Sequence, residues 1–350
     1  MLTASYKKHT LYFRNPAGTS RGILQSKTSY FILISASGQP GITGVGECSI
    51  IPGLSPDDRP GLEEKLRDVC TDIENISKIR KDYLSSWPAI NAAVEMAIQD
   101  LKTSGKRILF ASTFTGGVRT IPIHGLIWMG KPESMLHQID EKLNCGFRVI
   151  KMKIGALPFD EEISVIRYIR KHFKEADIEI RLDANGAFSP AEANVKLERL
   201  SEFNIHSIEQ PFRPGQPETM AELCLSSPIP VALDEELTGI SGVENINRLL
   251  DLIRPQYLVI KPSLLGGFES AESWIQAASK RGIGWWANSA LESNIGLNAL
   301  AQWVAASDNP IVQGLGTGSL YTNNIPSPLT GINGELRYDP VHPWDLSAIQ

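Results

Sequence analysis

The sequence predicts an α/β fold: a (β/α)8, TIM-like barrel preceded by a smaller α+β unit. Three observations predict it. Strand-like runs alternate with helical patterns from Thr120 onward. The first hundred residues instead show strands followed by helices. Charged residues recur at the carboxyl ends of successive strand-like runs, where barrels of this kind place their chemistry.

In chain order, Tyr6 to Arg14 has the composition of a strand, and the turn-rich Arg14–Gly22 predicts a mobile loop. Ser29–Ser37 and Gly41–Cys48 read as a hairpin joined through Gly38-Gln39-Pro40. Ile51-Pro52-Gly53-Leu54-Ser55-Pro56 is a second loop. Leu62, Leu66, Val69, Ile73, Ile76 and Ile79 recur at helical spacing, and a further helix starts at Pro88 and runs to Ser104. Strand starts then fall near Ile121, Val149, Ile178, Ser207, Val231, Tyr257, Ile283 and Ile311, 24 to 29 residues apart. Each gap holds a helical pattern: 133–143, 160–173, 190–203, 218–225, 243–253, 269–280 and 297–306. Ser189-Pro190-Ala191-Glu192 adds an N-cap serine, a first-turn proline and a capping-box glutamate. A doubly wound open sheet is disfavoured, because no G-x-G-x-x-G follows the first strand. The expected division is 1–118 for the α+β unit and 119–318 for the barrel, with 319–350 completing the former. Gly334–Tyr338 is expected to return there as a strand.

Composition narrows the function classes. A net charge of −5 and the absence of a basic run argue against nucleic-acid or anionic-membrane partners. No run approaches the length of a membrane span, and Met1–Phe13 lacks the apolar core of a signal peptide. Cys48, Cys70, Cys145 and Cys224 are scattered, which fits a reducing cytoplasm better than a disulfide scaffold. The six histidines show no ligand spacing, and none is assigned a role. Nothing in the sequence fixes an oligomeric state.

The chemistry gathers at the strand ends. Lys151 and Lys153 lie two residues apart on the run Val149–Gly155, so they point to one side of a buried strand. Two ammonium groups there are costly to desolvate and repel each other. Asp183, Glu209 and Asp234 end the next three strands, 26 and 25 residues apart. Neighbouring strands lie about 4.8 Å apart. Carboxylates that close require a cation, and oxygen-only ligation favours Mg²⁺, or Mn²⁺, over Zn²⁺. Lys261 ends the strand after Asp234. Lysines thus stand on both flanks of the acids. Such a site suits proton abstraction beside a carboxylate: the metal stabilises an enediolate and a lysine takes the proton. A lysine base needs its pKa brought from about 10.4 to roughly 7–8. The handling of an enediolate by lysine and magnesium is a known scheme of enolase-type enzymes.

The K-x-K of VIKMKIG, with RLDANGAF, SIEQPF, VALDEEL, YLVIKPSLLGG and NSALESNIGLNALAQ, resembles the muconate-lactonizing-type branch of the enolase superfamily. Within it the o-succinylbenzoate synthase family is most similar, across nearly the whole chain, including GVGECSIIPGLS. The resemblance implies that the α+β unit caps a modified, enolase-type barrel. It implies Mg²⁺ on Asp183, Glu209 and Asp234, Lys153 as base and then acid, and Lys261 as the cation that stabilises the enediolate. It implies a small-molecule carboxylate substrate, 2-succinyl-6-hydroxy-2,4-cyclohexadiene-1-carboxylate, dehydrated to 2-succinylbenzoate in menaquinone synthesis. Lys151 joins the catalytic set, and Ser289, Gly316 and Asn185 are the expected substrate contacts. Dipeptide epimerases of this branch carry an acidic pair after the eighth strand, where this chain has Gly314-Leu315-Gly316-Thr317-Gly318. N-Succinylamino-acid racemase remains an alternative, since both substrates carry a succinyl arm. An inactive metal-binding interaction protein is the alternative of another class, and the intact lysine pair argues against it.

Each residue also has a plainer reading. Lys151 alone reads as a surface lysine lying along its stem. Asp183 alone reads as a turn residue before Asn185-Gly186. Arg181, one layer deeper, reads as structural, and Asn185 either orients a ligand or leads into the helix. By strand alternation Glu235 faces away from Asp234. Trp285-Trp286 reads as packing between barrel and helix.

Overall fold

A computed structural model describes residues 1–19 and 22–349. β1 (Leu2–Thr19), β2 (Gly22–Ala36) and β3 (Thr43–Ser49) form an antiparallel sheet in that order. α1 (Leu62–Thr71), α2 (Ile73–Tyr83) and α3 (Pro88–Lys102) cover one face of it. Ile32 and Ile34 of β2 meet Leu66, Val69, Ile76, Ile90 and Val94 in a buried cluster. α3 lies close against β3 because Gly44 and Gly46 carry no side chain. A Cβ on Gly46 would stand 1.9 Å from the Ala93 carbonyl oxygen.

Two sequence expectations change here. The helical pattern from Leu62 to Ile79 is two helices, broken at Asp72 (φ −119°, ψ 35°). Most of the expected loop at 14–22 is strand: β1 runs on to Thr19 after a register shift between Tyr12 and Ala17. Ser20 and Arg21 lie outside the described residues. The extra hydrogen-bonding partner comes from far along the chain. Arg14 N donates to the Leu320 carbonyl (2.7 Å), and Thr322 N to that of Tyr12 (2.9 Å).

The second unit follows the alternating pattern. After β4 (Ile121–Pro122) come β5 (Gly125–Ile127), α4 (Pro132–Asn144), β6 (Val149–Lys153), α5 (Phe159–His172), β7 (Glu179–Asp183) and α6 (Pro190–Ser201). Then come β8 (Ser207–Glu209), α7 (Pro217–Ser226), β9 (Val231–Leu233), α8 (Val243–Ile253) and β10 (Tyr257–Ile260). The short α9 (Pro262–Leu265), α10 (Phe268–Ser279), β11 (Gly284–Ala287) and α11 (Asn294–Ser307) complete the series. β5 to β11 form one seven-stranded parallel sheet in sequence order. The expected eighth strand near Ile311 is reduced to two parallel bridges, Gln313 to Ile123 and Gly314 to Asn288. The expected capping box of α6 is present. Gly146 (φ 79°) and Gly282 (φ 68°) follow α4 and α10 in the left-handed turn that glycine favours.

Inside the curl, Ala232, Val259 and Trp286 form a small apolar plug. Trp286 therefore fills the strand interior, contrary to the reading as helix packing. Trp285 points outward and meets Trp303 of α11, ring centres 5.6 Å apart. Gly334–Tyr338 does not join the first sheet. β12 (Leu329–Ile332) and β13 (Glu335–Tyr338) form a hairpin that pairs with β4. Among the described residues no helix is long and apolar enough to cross a membrane.

Candidate active site

The strand register builds the site. Lys153 stands opposite Asp183, and Asp183 opposite Glu209. Glu209 stands opposite Ala232, so Asp234 lies two residues further along its own strand direction. On the far flank, Lys261 follows β10 directly. Lys151 Nζ touches both Glu209 carboxylate oxygens (2.7 and 2.6 Å) and Asp183 Oδ2 (2.9 Å). Lys153 Nζ reaches Asp183 Oδ2 (3.0 Å) and Asn185 Oδ1 (2.6 Å). Lys261 Nζ bonds Asp234 Oδ2 (2.5 Å).

These groups are buried: Lys151, Asp183, Glu209 and Asp234 are at most 4% exposed. Lys151 is thus no surface lysine, because it shares two carboxylates. Burial pulls Lys151 and Lys261 down, but their carboxylate neighbours outweigh it and hold both above the usual lysine range. Both are firm cations. Burial pushes Asp183 up, yet Lys151 and Lys153 overcome this and keep its carboxyl far below the usual range. Glu209 moves the other way, raised by burial and then by the charge of Asp183.

Over these residues lies a cavity of about 360 Å³. Lys151, Lys153, Asp183, Asn185, Lys261, Ser289 and Gly316 all line it. Glu209 and Asp234 sit behind that lining, reached through Lys151 and Lys261. The first domain supplies the cover, from Leu24 and the loop Ile51–Leu54.

Among the described residues no group of three acidic, histidine or cysteine side chains is close enough to grip an ion as it stands. The ammonium groups separate them. The donor set nevertheless fits a hard divalent cation, being buried, carboxylate and oxygen-only. Lys151 Nζ already shows positive charge accommodated between Asp183 and Glu209.

Several lining residues escape sequence reasoning. Glu235 is buried and lines the cavity, where alternation placed it outward. The reason is local: strand geometry stops at Leu233, Asp234 adopts φ −121° and ψ −82°, and a 3₁₀ turn begins at Glu235. Gln210, with φ 41°, binds that turn by accepting from Asp234 N and Glu236 N, both at 3.1 Å. Asn288, just past the end of β11, and His124, just before β5, also line the cavity. Burial, then Lys151 and Arg181, hold His124 neutral. For Asn288 the place after a strand was the available signal, whereas nothing local marks His124, which precedes its strand. Arg181 is structural as expected: it bonds Glu179 (2.7 Å) and the Val312 carbonyl (2.8 Å) and stacks on Trp286.

Residues 134–340 match the family described as enolase C-terminal domain-like. The chain is 46% identical to the o-succinylbenzoate synthase of Desulfotalea psychrophila, over 95% of this chain and 98% of that one. The chain belongs to the enolase superfamily, in its muconate-lactonizing branch. The crystal structure of MenC from Desulfotalea psychrophila superposes on this enolase-superfamily chain with a TM-score of 0.84, at 42% identity. The superposition covers 96% of this chain and 99% of that one. The N-succinylamino acid racemase of Thermus thermophilus is 29% identical over 79% of this chain and 75% of its own.

Proposed function

We propose that this enolase-superfamily chain is a Mg²⁺-dependent hydro-lyase. It dehydrates 2-succinyl-6-hydroxy-2,4-cyclohexadiene-1-carboxylate to 2-succinylbenzoate, a step of menaquinone synthesis. The observation that carries the reading is Lys153 and Lys261 on opposite flanks of three buried strand-end carboxylates. The relative at 46% identity narrows the substrate. We also propose that Gln313–Gly314 completes the enolase-type (β/α)8 barrel, and that the first domain caps it. The four cysteines are free thiols, which fits the cytoplasm.

Each residue then has a task. Asp183, Glu209 and Asp234 would hold Mg²⁺, which when bound would supply positive charge at the substrate carboxylate. Lys153 takes the proton from the carbon beside that carboxylate, and the electron pair moves onto the carboxylate oxygens as an enediolate. Lys261, a firm cation, stabilises that charge from the other flank. The pair then returns and expels the ring hydroxyl. Lys153 protonates it on the same face, so water leaves and the ring becomes aromatic. Lys151 anchors Asp183 and Glu209. Ser289 and Gly316 meet the succinyl arm. Leu24 and Ile51–Leu54 exclude water from above.

The test is ultraviolet absorbance as the cyclohexadiene becomes aromatic, with Mg²⁺ and then with chelator. Chelator-sensitive formation of the aromatic product is expected. Its absence, with solvent deuterium entering an N-succinyl amino acid at the α-carbon, reassigns the chain to racemisation.

A further inference from the structure

We propose that Glu235 is a positioning residue for Lys153, acting through the side-chain amide of Asn185. The proposal rests on Lys153 being the base in the reading above. Asn185 stands between the two. Its Oδ1 accepts from Lys153 Nζ (2.6 Å), and its Nδ2 donates to Glu235 Oε1 (3.0 Å). An amide has one accepting and one donating end, and a carboxylate accepts. With Glu235 taking the NH₂ end, the oxygen end faces Lys153. A charged Lys153 would select the oxygen end by itself, but the neutral amine can also accept, so without Glu235 the NH₂ end could turn to Lys153 and occupy the lone pair that the base needs.

The arrangement determines where the base can act. A neutral lysine amine has two N–H donors and one lone pair. Among the described residues, Asn185 Oδ1 (2.6 Å) and Asp183 Oδ2 (3.0 Å) accept from Lys153 Nζ. When both N–H bonds are made, the lone pair is left in a third direction. Asn185 and Asp183 come from the same strand end, and the cavity opens beyond them. Aiming the lone pair is worth rate rather than affinity, because a base must be aligned with the bond it breaks.

The backbone supports the same reading. Asn185 sits at φ 43°, in the left-handed region that non-glycine residues seldom adopt. Its own N–H donates to Asp183 Oδ1 (3.0 Å), which ties the turn to the carboxylate that Lys153 also contacts. Glu235 arrives from the next-but-one strand through the 3₁₀ turn that Gln210 holds. It is 4% exposed, so its carboxylate is fixed by packing rather than borrowed from solvent. A strained turn, a buried carboxylate and a polarised amide thus converge on one amine.

The experiment compares wild type with Glu235→Leu, Asn185→Asp and the double variant Asn185→Asp/Glu235→Gln. The double variant keeps the net charge and the connectivity: the introduced amide donates to the introduced carboxylate, whose other oxygen still accepts from Lys153. We expect Glu235→Leu to lose kcat by about 100-fold with KM changed less than about threefold. The double variant should recover to within about tenfold of wild type and exceed both single variants. A rise in KM at constant kcat would assign Glu235 to substrate contact and overturn the proposal. So would a double variant no better than Glu235→Leu. A second arm does not depend on turnover. In a crystal structure of Glu235→Leu, Asn185 should turn and Lys153 Nζ should leave it. If the 2.6 Å contact survives unchanged, Glu235 does not position the amine. Wild type that fails to dehydrate the cyclohexadiene overturns the dehydratase reading instead, while the crystallographic arm still decides the role of Glu235.

Discussion

At the scale of single residues, the site is a problem of charge. Three buried carboxylates, those of Asp183, Glu209 and Asp234, pair with three lysines within 3.0 Å, and a fourth, Glu235, joins them through the Asn185 amide. Removing one partner leaves the other buried and unpaired, which costs about 3–5 kcal/mol. Variants should therefore be read by their function as well as their stability. Lys153→Ala should lower kcat by on the order of 1,000-fold or more, while Mg²⁺ still binds by calorimetry. Retained turnover would move the base elsewhere. Asp234→Asn should weaken Mg²⁺ binding by at least about tenfold, the smallest loss usual when a metal site is disturbed. Unchanged affinity would remove Asp234 from the ligand set.

At the scale of elements, the helices of the first domain make the clearest demands. Asp57 accepts from Ala89 N and Ile90 N, both at 3.1 Å, and so caps α3 from a distant loop. Burial raises its carboxyl to about 6, from an ordinary value of 3.8. The folded chain therefore holds that proton more tightly than the unfolded one. The associated stability is present below about pH 4 and is lost as pH rises through about 6. Relative to Asp57→Asn, wild type should lose up to about 3 kcal/mol across that window, read from urea unfolding at stepped pH. A constant difference between the two would contradict the burial of Asp57. Gly46→Ala should be severe, because backbone rather than a flexible side chain blocks the new Cβ. A loss above about 3 kcal/mol is expected from the overpacking of β3 on α3, and a mild effect would mean that the two separate easily.

At the scale of the whole molecule, one buried cluster joins the two units. Glu47 on β3 accepts from Ser293 N (2.9 Å), Ser293 Oγ (2.6 Å) and Gly296 N (3.0 Å) at the start of α11. It also accepts from Ser29 in its own sheet. Lys27 on β2 reaches across to the Leu291 carbonyl (2.8 Å), beside the cavity wall. Glu47→Leu leaves these donors unsatisfied, at about 1–3 kcal/mol for each buried group. Its thermal transition should fall by several degrees, with a rise in KM as the loop Ile51–Leu54 loosens. An unchanged transition and KM would show that the two units dock without this cluster.

Much of this was legible in the amino-acid order, and the reason is periodicity. Alternation of βα units and the two-residue repeat of a strand are local properties, so Lys151, Lys153, Asp183, Glu209, Asp234 and Lys261 could be set on one rim from their spacing. The sequence by itself therefore determined the parallel strand series and the charged residues at its ends. Where local repeats stop, tertiary packing decided. Glu235 turns inward because a 3₁₀ turn interrupts the strand after Leu233. β13 pairs with β4 rather than with the first sheet, since strand edges are satisfied by whichever partner the packed chain brings near. The cavity wall joins Leu24 and Ile51–Leu54 to Ser289 and Gly316, residues more than two hundred positions apart. No local pattern encodes such a contact, because it exists only once burial of two separate apolar cores has pressed the units together.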